Sequence, residues 1–534
     1  MIARLGSLIP LDDLLVGARF LRELPFFLRR PMNPQEAQAI LHRRLERREA
    51  NFLAIARRSI YQHPGSPYRE LLNLAGCEYG DLELLVSREG LEGALSTLHR
   101  YGVYLTVDEF KGRRPVIRGS ATIDVGPQLL RNPWSAFYVP VRSSGSRGSG
   151  LPVLIDLAFV RDCAVNTCLA LDTRGGGEWL KAVWEVPGGG AMFRLLKFSS
   201  FGAPPVRWFS QVDPAAPSLH ARYRWSARVM RWGSRLAGVP LPRPLFVSLD
   251  EPLPIARWMT QVLRAGRVPF LQTFPSSAVR LCQAAFDAGV GLQGAQFTLA
   301  GEPVTKARLA AIRRVGAEIA PRYGSIECGP IGYGCLAPEA PDDVHLLHDL
   351  HALIQAGPDG EVHGLPANAL LISSLCPTSP FVLLNVSLGD QALVVQRTCR
   401  CPLEQLGWTT HLHTVRSFEK LTAGGMTFFR YRCDSCPRRG TPRSLRGGAR
   451  RLSTPGGGSQ RRTSLSPPAR PPGDRPARCR RGRERFLCGN RHRFGSGTRD
   501  GALMARRGLP PRRAPQPDGD GFGQDPASAP ISKE

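Results

Sequence analysis

"FTLAGEPVTKARLAAIRRVGAEIAPRYGSIECGP", Phe297 to Pro330, decides the fold. With Ala295 and Gln296 ahead of it, FTLA reads as an apolar strand ending at Gly301-Glu302-Pro303. "VTKARLAAIRRVG" has the apolar spacing of a helix, with Thr305 near its start and Gly316 just past its end. "EIAPRYGSIECG" supplies a second strand end and a loop that presents Tyr323, Gly324, Ser325 and Glu327. Strand, helix and strand in succession form a βαβ unit, which predicts an α/β protein. Open α/β sheets place ligands at their strand ends. A planar Tyr beside Gly suits a purine ring, and a carboxylate two residues past a Ser suits Mg²⁺, which takes oxygen ligands. The same residues also fit an ordinary βαβ unit with a solvated Glu.

Three further stretches add to this one. "VRSSGSRGSGLPV", Val141 to Val153, follows the strand-like "WSAFYVPV" and precedes helix-like apolar spacing from Ile155 onward. Its composition fits a flexible linker. Its setting between a strand and a helix fits a loop that aims backbone N–H groups and hydroxyls at an anion. In "FVLLNVSLGDQALVV" two apolar strands flank Gly389-Asp390. An Asp held in such a turn can accept both hydroxyls of a ribose, although Gly-Asp is also a common hairpin turn. In "HLHTVRSFEKLTAGGMTF", Arg416 and Lys420 lie four apart before a Gly-Gly turn and can flank a phosphate or a ribose.

In this order and spacing the four stretches resemble the adenylate-forming superfamily, most closely its phenylacetate–CoA ligase-like branch. The resemblance spans residues 51–429. It implies that Ser143, Ser144, Gly145, Ser146, Arg147 and Gly148 form the loop that grips ATP phosphates. It implies that Gly301, Glu302, Tyr323 and Gly324 bind the nucleotide and that Asp390 binds its ribose. Glu327 and Arg416 are implied as catalytic residues, Glu327 also as Mg²⁺ ligand and Arg416 as the hinge arginine. The implied reaction is ATP-dependent activation of a carboxylic acid as acyl-adenylate, then transfer to a thiol, either CoA or the pantetheine of an acyl-carrier protein. A reductase is a further possible partner. By the same analogy Trp208, Phe274 and Ser276 are candidates for the acyl-pocket wall. Two departures stand out. Arg147 occupies a position where the family has a small or hydroxylated residue, and "LNVSLGD" lacks the usual arginine-bearing approach to Asp390.

The length of 534 residues implies more than one domain, and 42% hydrophobic residues suffice for a core. No apolar run is long enough for a transmembrane helix. Asp12 and Asp13 interrupt the apolar N-terminus, which reads as a helix packed on the body rather than a signal peptide. Thirteen cysteines without a regular framework read as reduced thiols in cytoplasm. The net charge of +27 is unevenly placed: 25 of the 71 Lys+Arg but only 8 of the 44 Asp+Glu fall in residues 430–534. That stretch is rich in Arg, Pro, Gly and Ser and has no periodicity, so it is expected to be disordered. Its composition fits a basic nucleic-acid-binding arm, and fits better a translated frameshift in a GC-rich gene; no nucleic-acid partner is expected.

The expected organisation is an N-terminal helical segment over 1–50, a large adenylate-forming domain over 51–413, the hinge and start of a small C-terminal domain over 414–429, and the disordered tail over 430–534. The family's small domain, with its adenylation lysine, is then truncated or missing. Two other classes of function follow from these features. One is a catalytically inactive nucleotide-binding or scaffold protein. The other is a zinc-stabilised nucleic-acid binder, with Cys399-x-Cys401 and Cys433-x-x-Cys436 at ligand-like spacing.

Overall fold

The computed structural model describes residues 11–135, 139–142, 151–213, 216, 221–357, 364–418, 420–423 and 426–429. Residues Ser143 to Gly148, expected to form a phosphate loop, the Cys433/Cys436 pair and residues 430–534 lie outside the described residues.

Two short antiparallel pairs come first: β1 (Val116–Arg118) with β2 (Ala121–Ile123), and β3 (Val139–Arg142) with β4 (Pro152–Ile155). A 12-stranded sheet follows. Its parallel part holds β5 (Leu180–Glu185), β6 (Arg207–Ser210), β7 (Pro244–Phe246), β8 (Pro269–Thr273), β9 (Gln296–Ala300) and β10 (Glu318–Ser325). Its antiparallel part holds β11 (Gly329–Gly334), β12 (Val344–Leu346), β13 (His351–Gln355), β14 (Ala369–Ser374), β15 (Val386–Gln396) and β16 (Thr410–Ser417). The spatial order is β13-β14-β15-β16-β12-β11-β10-β9-β8-β5-β6-β7. A last pair joins β17 (Lys420–Ala423) to β18 (Met426–Phe429). The sheet changes from parallel to antiparallel between β10 and β11, at the turn carrying Glu327.

Side-chain alternation explains why the parallel part is covered on both faces. Ala182 and Trp184 of β5 enter one apolar cluster and Val183 enters another. The first cluster includes Ile255 and Met259 of helix Leu253–Arg264, Leu281 of Pro275–Asp287 and Ile312 of Lys306–Arg313. The second includes Phe159 of helix Leu157–Asp172 and Phe193 of Gly189–Ser199. Successive strand residues point to opposite faces, so a strand buried on both sides reads as a continuous apolar run. Phe20, Leu24 and Leu41 of the first two helices join the second cluster, and Arg44 lies 2.6 Å from Asp162 and 3.3 Å from Asp349. The N-terminal helices are therefore part of the body.

The βαβ reading of Phe297–Pro330 matches β9, helix Lys306–Arg313 and β10; Thr305 caps the helix by accepting from Arg308 N, and Gly316 has φ +80°. Two local readings need correction. The Gly/Ser stretch does not link a strand to a helix. It joins the two strands of the β3–β4 hairpin, and the helix starts at Leu157, capped by Asp156, whose carboxylate accepts from Phe159 N at 2.6 Å. Apolar residues of the short β4 ran into those of the helix and hid the break. Gly389-Asp390 is likewise not a turn between two strands. It lies inside β15, with Gly389 at φ +93° and irregular pairing on either side. A glycine at positive φ lets one strand kink and continue. β16 continues across residue 414, the expected start of the hinge, with Thr414 at φ +56° and a shift in its pairing with β15.

Candidate functional site

A cavity of about 620 Å³ lies at the C-terminal ends of β8, β9 and β10, with a facing wall from β12, β15 and β16. Small-molecule sites typically span roughly 300–1,000 Å³. Gly301, Glu302, Tyr323, Gly324, Glu327, Asp390 and Arg416 all line it. β3, which leads into the Gly/Ser stretch, packs against helix Gly189–Ser199, and that helix lends Phe193 and Arg194 to the cavity.

Local geometry sets each side chain. Gly301 has φ +89°, and a Cβ there would meet the Phe274 ring at 3.0 Å. The chain therefore turns sharply after β9. Glu302 folds back on the next helix: its carboxylate accepts from Ser276 N at 3.1 Å and Ser276 Oγ at 2.7 Å, and Arg308 lies 3.1 Å away. A carboxylate at a helix N-terminus satisfies otherwise unpaired N–H groups. Glu302 thus shapes the rim, holding the end of β9 to helix Pro275–Asp287.

At the end of β10 the pairing with β11 shifts between Tyr323 and Gly324. A Cβ on Gly324 would lie 2.6 Å from Gly329 O, so the two backbones approach too closely for any other residue. Bulges re-aim side chains, and here Tyr323 reaches across the cavity and donates its hydroxyl to Asp390 Oδ2 at 2.9 Å. Burial pushes the Tyr323 phenol well above its usual range, and the charge of Asp390 and its hydrogen bond add to this. Tyr323 therefore stays a protonated donor. Glu327, in the β10–β11 turn, is 7% exposed.

Asp390 faces Ser417 across the β15–β16 ladder, and Gln391 faces Arg416. The Arg416 guanidinium lies 3.3 Å from Asp342 Oδ2, and Asp342 also accepts from Thr414 N and Val415 N at 3.0 and 2.9 Å. The Arg416 side chain is 49% exposed, which leaves its charge near the cavity mouth.

The sequence reading missed Lys111, Arg194, Arg322 and Asp342, which also line the cavity. Arg194 lies 2.7 Å from buried Glu185. Behind them Lys197 is fully buried, and its pKa falls well below the usual lysine value through burial first, then the charges of Arg322 and Arg194. Arg322 sits inside the quoted stretch, beside Tyr323, but strand periodicity gave it no distinction. Arg194 falls in an amphipathic helix, where a basic residue carries no local signal. The proposed acyl-pocket residues divide. Phe274 lines the cavity. Ser276 holds Glu302. Trp208 is 1% exposed in the core rather than on the cavity wall, because β6 is buried on both faces.

No family model and no curated protein matches the sequence. Solved structures do resemble it. 2-Hydroxyisobutyryl-CoA ligase in complex with 2-HIB-AMP and CoA, in its thioesterification state, overlaps with a TM-score of 0.46 at 14% identity, over 75% of this chain and 72% of that one. An open conformation of the same ligase overlaps at 0.42 and 13% identity, over 75% of this chain and 80% of that one. An acyl-CoA synthetase (AMP-forming)/AMP-acid ligase II-like protein from Dyadobacter fermentans overlaps at 0.28 and 15%, over 54% and 63%. Likenesses this loose assign neither an activity nor a substrate. Among the described residues no helix is long and apolar enough to cross a membrane.

Proposed function

We propose that the cavity binds ATP and a carboxylic acid, joins them as an acyl-adenylate, and passes the acyl group to a thiol, either CoA or a carrier-protein pantetheine. One observation carries this reading: Gly301, Glu302, Tyr323, Gly324, Glu327, Asp390 and Arg416, singled out as motif residues in separate stretches of the chain, line the same cavity.

The donor set suits the reactants. An ionised carboxylate offers about four acceptor sites, so Asp390 can hold the Tyr323 hydroxyl and still accept from a ribose. The ring of Tyr323 offers a flat surface for a purine. Lys111 and Arg416 supply cations for the phosphates, and Arg194 and Arg322 supply them for the acid. Glu327 offers a carboxylate oxygen of the kind that Mg²⁺ takes. When bound, Mg²⁺ would neutralise phosphate charge.

In the first step an oxygen of the acid attacks the α-phosphorus of ATP, and the bond to pyrophosphate breaks. In the second the thiol sulfur attacks the acyl carbon, and AMP leaves. This chain's residues contribute position and charge compensation, which are the main sources of rate in such transfers. An ATP–pyrophosphate exchange assay with a panel of carboxylic acids tests the reading. Acid-dependent exchange above the acid-free background, however slow, supports it. ATP binding without exchange for any acid would favour the inactive nucleotide-binding alternative.

A further inference from the structure

Behind the cavity wall lies a second polar cluster. Cys335 follows the end of β11, His345 sits on β12, His411 on β16, and Cys399 and Cys401 in the loop after β15. One donor atom each from Cys335, His345, Cys399 and His411 lies within 4.8 Å of all the others. We propose that these four residues form a structural zinc site, a Cys₂His₂ centre that pins β11, β12, β16 and the loop after β15 together.

Both imidazoles are prepared as ligands. Trp408 O can only accept, so His345 Nδ1, 2.6 Å away, carries the hydrogen and Nε2 keeps its lone pair. His411 Nδ1 is 2.9 Å from the Asp343 carboxylate, so it too carries the hydrogen. His411 is wholly buried, and its Nε2 has no hydrogen-bond partner. A buried imidazole nitrogen left unpaired is costly unless something fills its lone pair. Ligating histidines usually donate their other N–H to a carboxylate or backbone carbonyl, and this pair uses one of each. His345 and His411 face each other in the β12–β16 register, with ring centroids 4.1 Å apart.

The sulfurs fit the same centre. Zn–S of about 2.3 Å and Zn–N of about 2.0–2.1 Å at a tetrahedral angle put S and N about 3.5 Å apart. Cys399 Sγ is 3.6 Å from His345 Nε2. Cys335 Sγ accepts from Ala337 N at 3.3 Å, and Cys399 Sγ accepts from Cys401 N at 3.4 Å. The Cys399–Cys401 turn is formed with Arg400 at φ +59°, and the Glu404 carboxylate accepts from the amides of Cys399 and Arg400.

Charge is compatible with this donor set. A zinc dication with two thiolates is neutral, and the Asp343 carboxylate is balanced by Arg397, which also approaches Cys335 Sγ at 3.6 Å. Cys401, whose Sγ is 3.2 Å from His345 Nε2, stands beside the centre, outside the set of four donors that all lie within 4.8 Å of one another. Four protein donors leave no open position, the mark of a structural rather than catalytic site.

Metal analysis of the full chain, purified without chelators, tests this. About one zinc per chain is expected. Exchange for Co²⁺ should give the intense visible bands of tetrahedral Co²⁺ and a thiolate charge-transfer band. Cys399→Ser should lower zinc content at least tenfold, whereas the Cys433→Ser/Cys436→Ser double variant should retain it. Zinc below a tenth of an equivalent together with no tetrahedral Co²⁺ spectrum overturns the site, and this reading needs no variant to fold. Loss of the metal in the Cys433/Cys436 variant also overturns it, by placing the ion on that pair.

Discussion

The cavity and the Cys/His cluster occupy opposite sides of the same β-strands. Asp342 and Val344 line the cavity, while the alternate residues Asp343 and His345 belong to the cluster. On β16, Val415 and Arg416 serve the cavity and His411 the cluster. The two regions nevertheless are built differently. Most of the cavity comes from short contiguous motifs at strand ends, each with a local pattern. The cluster is assembled from single residues that only strand register brings together. The cavity wall therefore rests on the cluster: whatever holds His345 against His411 also fixes Asp342 beside Arg416.

Four substitutions probe this contrast. The largest effect is expected from Asp343→Ala. It leaves Arg397 and the buried His411 without their carboxylate, and loss of one partner of such a buried pair costs about 3–5 kcal/mol. Denaturant unfolding should register this. A cost under about 1 kcal/mol, in the range of exposed ion pairs, would show that the cluster does not brace the sheet.

Acid comes next. His351 is 1% exposed on β13, and its Nε2–H donates to Pro330 O at 2.8 Å. Burial lowers its pKa from 6.5 to about 4. Between those values the unfolded chain takes up a proton that the folded chain refuses. Its contribution to stability is thus fully present above pH 6.5 and falls by about 1.4 kcal/mol per pH unit on acidification towards pH 4. Unfolding curves of His351→Gln against the parent chain should lose that slope. A parallel pH dependence in both would exclude His351 as its source.

Two substitutions address the cavity alone. Asp390→Ala should weaken ATP by roughly 10- to 100-fold, the range for hydrogen bonds to a charged group, and leave inorganic triphosphate nearly unaffected. Calorimetric titration of both ligands checks this, and equal losses would remove Asp390 from the ribose site. Glu327→Gln should give the smallest change, about tenfold in the Mg²⁺ concentration needed for ATP binding, since an amide oxygen remains but its charge is lost. Neither variant should alter the metal content of the cluster.

Much of the cavity was legible because its elements announce themselves locally. Thr305 and Gly316 bracket one helix, Gly301 ends β9, and Tyr323-Gly324 ends β10. Asp390 was found with the wrong local structure, since a glycine before an aspartate marks a turn and a kinked strand equally well. Arg194 and Arg322 were not found, because a cation in a helix or strand shows no sign of which partner it meets. The spacing of Cys399 and Cys401 points along the chain to Cys433 and Cys436, the next two cysteines. The partners close to Cys399 and Cys401 in space, Cys335, His345 and His411, have no regular spacing at all.

The sequence by itself determined the α/β alternation, the strand-end loops and most of the motif residues that line the cavity, because caps, glycine turns and apolar periodicity act over a few neighbouring residues. Only the tertiary structure decided that Asp390 meets Tyr323, that Glu302 shapes the rim, and that two histidines and two cysteines converge. These depend on the register of strands far apart in the chain. A shift of one residue would turn His345 towards the cavity and Asp342 or Val344 towards the cluster, since side chains alternate between the two faces of a sheet.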